Sequence, residues 1–93
     1  MMLIAVHAID DAAAQRQPYY DAHKAHLARA ADYGVKLVIG GPLLGDDSQT
    51  AIGSLMIFQA ADKASVVRFN ADDPFRQSGV WRSVHVAQFD RRT

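Results

Sequence analysis

Val35-Lys36-Leu37-Val38-Ile39-Gly40-Gly41-Pro42 and, past a polar loop, Ile52-Gly53-Ser54-Leu55-Met56-Ile57-Phe58 are the stretches whose reading decides the fold. Each is a short apolar run rich in β-branched side chains and bounded by turn residues, so each reads as a strand. Gly40-Gly41-Pro42 reads as the stop of the first strand, because proline cannot donate to a ladder and glycine permits unusual backbone angles. The run Leu43 to Thr50 carries Gly45-Asp46-Asp47-Ser48 and is a turn-rich loop, lacking the length and the terminal glutamate of a calcium loop. A hairpin follows.

Outward from the hairpin, Met2 to Ala8 is aliphatic, ends at Asp10 and Asp11, and reads as a buried strand. From Pro18 to Tyr33 the pattern becomes helical, with Pro18 suited to the first turn and Gly34 to the stop. At roughly 100° per residue, Tyr20, His23, Leu27, Ala30, Ala31 and Gly34 share one arc, with Asp21, Arg29 and Asp32 opposite. His23 therefore lies in the core-facing stripe. Downstream, Asp62 caps a second helix running to about Asn70, with Val66, Val67 and Phe69 available for packing. Asp72-Asp73-Pro74-Phe75 opens a short turn, and Val80 to Phe89 is the last strand.

The order β-α-β-β-α-β is the ferredoxin-like plan, an α+β fold whose antiparallel sheet carries both helices on one face. The last strand projects Trp81, His85, Ala87 and Phe89 to one side and Val84 and Val86 to the other, and Leu55 and Ile57 alternate with Met56 and Phe58. Strands apolar on both faces are covered on both faces, so the second cover is expected from another copy of the chain, sheet against sheet, in a homodimer.

Composition narrows the function classes. Ninety-three residues make one domain, 1–93, and 49% hydrophobic with 22% charged residues is an ordinary globular balance. Ten basic and ten acidic side chains cancel, which argues against nucleic acid or a membrane as partner. With no cysteine there is no disulfide, thiolate metal site or cysteine nucleophile. The apolar N-terminal run is too short to span a bilayer and leads into two aspartates, so a cytoplasmic protein is expected.

Arg16, His23-Lys24-Ala25-His26-Leu27, Gly40-Gly41-Pro42-Leu43, Gly53-Ser54-Leu55 and Asp72-Asp73-Pro74-Phe75 follow one another over nearly the whole chain. In this order and spacing they resemble the YciI-like (YCII-related) family of small dimeric α+β barrel proteins. The resemblance implies a ferredoxin-like fold that dimerises into a barrel. It also implies a site built from the helix histidine and the aspartate of an Asp-Pro-aromatic motif, here His23 and Asp73, flanked by the turn at Gly40, Gly41 and Pro42. His26 stands where relatives often have tyrosine. Some members resemble lyases acting on small unsaturated, sometimes halogenated, acids, and the wider superfamily includes isomerases and cofactor-free oxygenases; fold alone does not choose among them.

From the residues alone, His23 reads first as a core histidine bonded to backbone, and Asp73 as an N-cap before a proline at N1. With the family pattern added, His23 becomes the general base or acid and Asp73 its orienter, a carboxylate that stabilises the imidazolium. Asp72 is the alternative to Asp73. Arg16 is the candidate for holding a substrate carboxylate, with Arg82 a second cation lacking the family match. Gly40, Gly41 and Pro42 either bring backbone amides to an anionic ligand or form a plain turn. His26 is expected at the edge of the stripe, lining the pocket mouth. His23 and His26 project 60° apart, an unnatural geometry for convergence on one metal ion, and no metal or other cofactor is expected. His7 and His85 fall on neighbouring strands and read as interface residues. The expected function is acid–base chemistry of lyase or isomerase type on a small unsaturated acid; the rival is a non-catalytic module that binds a metabolite or assembles as a dimer.

Overall fold

The computed structural model describes all residues from Met1 to Thr93. Four strands, β1 (Met2–Asp10), β2 (Val35–Leu44), β3 (Ala51–Ala60) and β4 (Trp81–Phe89), form one antiparallel sheet in the order β2-β3-β1-β4. Helices α1 (Tyr20–Leu27), α2 (Lys63–Ala71) and the one-turn α3 (Pro74–Gln77) complete the ferredoxin-like α+β fold. No helix is long and apolar enough to cross a membrane.

The core follows from strand alternation. Ile4, Val6 and Ala8 of β1 and Met56, Phe58 and Ala60 of β3 are buried on the helix side, against Val66, Phe69 and Phe75. The intervening residues of the same strands, His7, Leu55 and Ile57 among them, lie on the opposite face, as period-two geometry requires. His7 and His85 sit directly opposite each other on that face, and Leu55 is the partner of His7 on the other side.

Three sequence expectations change. Strand β2 does not stop at Gly40-Gly41-Pro42 but continues to Leu44, with Pro42 opposite Ser54. Proline is tolerated because β2 is an edge strand and the missing N–H can fall on the unpaired side. The expected Pro18–Tyr33 helix is three pieces: a 3-10 turn at Gln17–Tyr19, then α1, then a 3-10 turn at Ala30–Tyr33 closed by Gly34 at φ 74°. Pro18 lies in the 3-10 turn before α1, whereas no glycine or proline marks the break at its C-terminal end. The second break accompanies burial of Ala30 and edge-on packing of Tyr33 on Phe69, ring centroids 5.1 Å apart.

The third change is the side on which Trp81 lies. Ile9 pairs with Ser83 but Asp10 with Trp81, so Arg82 is an extra residue in β4. Such a bulge resets the alternation. Trp81 therefore turns onto the helix side, 3% exposed, away from His85, Ala87 and Phe89.

Candidate active site

The site grows from the corner where α2 gives way to α3. Asp73 is the N-cap of α3: its Oδ1 accepts from the Phe75 N–H at 2.9 Å, and Pro74 occupies the first helical position where no N–H is required. This capping geometry turns the carboxylate inward, where it is 1% exposed. A charge buried so deeply needs partners. The second is His23 of α1, whose Nδ1 lies 2.8 Å from both carboxylate oxygens.

A carboxylate accepts, so Nδ1–H donates and the lone pair is left on Nε2. That nitrogen has no partner within the chain, and since no buried side-chain nitrogen or oxygen lacks one, Nε2 must be reached from outside. The ring is clamped by stacking on Phe75 (centroids 4.1 Å apart, planes 9° from parallel) and by the edge-on Trp81 at 5.9 Å. Phe75 is itself fully buried, so the imidazole rests on a fixed wall. Asp72 plays no part in this pair: it is exposed and accepts from the Tyr33 hydroxyl, which raises the phenol pKa above its ordinary 10.0.

In front of His23 opens a cleft of about 250 Å³. Helix α1 supplies Tyr20, His23 and Lys24 to one wall, and the opposite side is built by Leu37, Gly40, Gly41 and Pro42 of β2 with Ser54 and Met56 of β3. No carboxylate lines it. Gly40 keeps it open, because a Cβ there would stand 3.1 Å from the Met56 Cγ and 3.2 Å from a Leu37 methyl.

Arg16 also reaches the cleft, but its grip is taken. Nε and Nη2 donate to the Asp10 carboxylate at 2.6 and 3.2 Å, and Nη2 donates further to the Gly53 carbonyl and the Ser54 Oγ, both at 2.7 Å. Its guanidinium carbon lies 4.8 Å from the Phe75 centroid. Only Nη1 is without a partner in the chain. Ser54 Oγ joins this network to the Trp81 Nε1–H at 3.3 Å. Arginine, serine and tryptophan thus tie the sheet to the wall on which His23 stacks.

His23, Arg16, Gly40, Gly41 and Pro42 therefore come together around one cleft, with Asp73 directly behind His23. His26 does not line it. Its Nε2–H donates to the Phe69 carbonyl at 2.7 Å and its ring stacks on Phe69 at 4.2 Å, on the side of α1 that meets α2. The expectation that it lines the pocket mouth is corrected: a free backbone carbonyl near the end of α2 captures it. The two histidines face different flanks of α1, His23 toward Asp73 and His26 toward the Phe69 carbonyl. The sequence reading does not single out as site residues the polar Asp10, Ser54, Tyr20 and Lys24, nor the apolar Leu27, Leu37 and Met56. Ser54 had a readable signal, being the one polar residue on the same parity as Met56 and Phe58.

Among solved structures, the 5-chloro-2-hydroxyhydroquinone dehydrochlorinase TftG of Burkholderia phenoliruptrix AC1100, in complex with 2,5-dihydroxybenzoquinone, superposes with a TM-score of 0.82 at 27% identity. The match covers 98% of this chain and 96% of that one. PA3566 of Pseudomonas aeruginosa (TM-score 0.59, 15% identity, 99% and 95% covered) and At3g17210 of Arabidopsis thaliana (TM-score 0.59, 10% identity, 100% and 97% covered) share the fold. No curated protein matches the sequence. The model of the YCII-related domain matches residues 2–90, nearly the whole chain, and the protein belongs to the YCII-related family.

Proposed function

We propose that the cleft is the active site of a small-molecule enzyme performing acid–base chemistry of lyase or isomerase type, with His23 as the proton-transfer group. The observation that carries this is the pairing of a buried Asp73 with His23 Nδ1, while Nε2 has no partner in the chain and His23 lines the cleft. An imidazole so held has one tautomer and one direction of approach. Nε2 takes a proton from a C–H or O–H of the bound molecule. In an isomerisation the imidazolium returns it to another atom; in an elimination the leaving group departs with its electron pair and the proton passes to solvent. Asp73 touches no substrate in this scheme: it is a positioning residue that stabilises the imidazolium. Arg16 offers its Nη1–H to an oxygen of the substrate.

The size of the cleft, below the roughly 300–1,000 Å³ of drug-sized pockets, suits a molecule of about one ring. TftG is a dehydrochlorinase of a hydroxylated, chlorinated ring, which supports hydroxylated or carboxylated unsaturated rings and acids, halogenated ones included, as the class to screen. We further propose that the chain works in the cytoplasm as a homodimer through the sheet face opposite the helices. The supporting observation is that Leu55 and Phe89 stand 42% and 46% exposed on that face.

The test is a turnover assay on a panel of chlorinated hydroxyhydroquinones and unsaturated acids. Chloride release and solvent-deuterium incorporation are followed for the wild type and for His23→Gln, which removes the basic ring nitrogen while keeping a polar side chain of similar size. The proposal expects turnover in the wild type and its loss in the variant. Undiminished turnover in His23→Gln removes His23 from the chemistry, and binding without turnover across the panel indicates the non-catalytic module.

A further inference from the structure

The cleft presents its charges unevenly. Arg16, the obvious anion-binding residue, is neutralised by Asp10 at 2.6 Å and spends Nε and Nη2 inside the chain. The ion pairs of the molecule join Arg16 to Asp10, His23 to Asp73, Arg29 to Asp32 and Arg92 to Asp90, and Lys24 belongs to none of them. Yet Lys24 lines the same cleft, one residue on from His23. Its Nζ sits 5.2 Å from the centroid of the Tyr20 ring, one helical turn back and also part of the lining. A cation held over an aromatic face is drawn along the cleft wall instead of ranging through solvent. With no carboxylate in the lining, nothing in the site competes for that ammonium.

We propose that Lys24 is the specificity-determining residue of this cleft, selecting ligands that carry an anionic oxygen, an enolate or a carboxylate, on a small unsaturated ring or chain. This rests on the reading of the cleft as the active site and names its substrate class. The division of labour follows from the partners. Arg16 builds the wall and lends one N–H; Lys24 supplies the uncompensated positive charge. The anionic oxygen pairs with Nζ, the apolar body lies against Leu37 and Met56, and the acidic proton is presented to His23 Nε2. The charge also has a chemical use. A substrate already singly ionised is a poor proton donor in isolation, and a fixed ammonium next to it offsets the second negative charge that builds as the proton leaves.

The probe is 2,5-dihydroxybenzoquinone, an acidic enol that is anionic at neutral pH, with its dimethyl ether as the uncharged counterpart. Both are titrated by calorimetry into the wild type, Lys24→Met, Lys24→Arg and His23→Gln, at low and raised salt. Lys24 is an exposed helix residue, so its variants fold. Lys24→Met is expected to bind the anion about 5- to 10-fold more weakly and the ether as the wild type does. Lys24→Arg is expected to stay near wild type, and added salt to weaken the wild type more than Lys24→Met. Equal affinity of wild type and Lys24→Met for the anion, an equal loss for both probes, or no binding of the anion to the wild type overturns the proposal. His23→Gln keeps the two readings apart. Normal anion binding with lost turnover upholds the acid–base role whatever Lys24 does, and undiminished turnover removes that role while the calorimetry still decides on Lys24.

Discussion

The two flanks of α1 carry nearly the same construction put to different ends. On one side His23 stacks on Phe75 at 4.1 Å and 9°; on the other, His26 stacks on Phe69 at 4.2 Å and 14°. Both imidazoles spend one nitrogen on a partner from the α2–α3 segment. The difference lies in the partner and in what the second nitrogen meets. His23 faces a buried carboxylate with an open cleft in front of its free nitrogen. His26 faces the Phe69 carbonyl, a dipole without net charge, and is not among the residues lining the cleft in front of His23. A carbonyl holds a neutral ring in place; a carboxylate also stabilises the protonated one. Stacking therefore does not separate the two histidines. The charge of the partner does, together with the cleft that His23 lines.

The widest gap between the flanks is expected in turnover. His23→Gln lowers kcat by about 10²- to 10⁴-fold, the usual contribution of a positioned general base and equivalent to about 3–5 kcal/mol of barrier. His26→Gln leaves kcat near wild type and costs stability alone, about 0.5–1.5 kcal/mol for a hydrogen bond to backbone, read by chemical denaturation. If both variants lose turnover equally, the distinction between the flanks fails.

In stability the flanks should look alike. Phe75→Ala and Phe69→Ala each remove a buried ring, 0% and 1% exposed, and each is expected to cost about 3–5 kcal/mol by urea or thermal melting. A site-specific signature appears only when folded protein is assayed: Phe75→Ala frees the imidazole ring and lowers kcat, and Phe69→Ala does not.

The smallest effect separates the two aspartates of the corner. Tyr33, on the His26 flank, donates to Asp72, and that hydrogen bond to the carboxylate raises the phenol pKa above 10.0. A raised folded-state value means that the stabilisation is complete below 10.0 and is lost as pH climbs through the folded-state value. Phenolate absorbance should therefore place the Tyr33 transition above 10.0, and Asp72→Asn should move it back toward that ordinary value. Asp73→Asn should leave Tyr33 unmoved, because Asp73 serves the other flank.

Which parts of this were legible in the sequence follows the range of the physics involved. Local patterns carry well: alternation in β1 and β3, the Asp62 and Asp73 caps, Gly34 as a helix stop, and the inward placement of His23, although Tyr20, Ala31 and Gly34 of the same stripe are exposed. What failed depends on contacts between distant segments. The extra residue at Arg82 flips Trp81 to the helix face, and no local signal gives a register. The capture of Arg16 by Asp10 and of His26 by Phe69 depends on which carbonyls and carboxylates the fold leaves nearby. The inward position of His23 is legible because the motif and the helical period agree on it, whereas Lys24 lies one residue off the stripe and carries no such signal.

The most direct test is nitrogen NMR of the imidazoles, free and with 2,5-dihydroxybenzoquinone added. His23 is expected as the Nδ1–H tautomer, with its Nε2 resonance shifting as ligand enters and His26 unchanged. A His23 protonated on Nε2 in the neutral ring, or one whose Nε2 ignores a ligand that calorimetry shows to be bound, would contradict its role as the proton-transfer group.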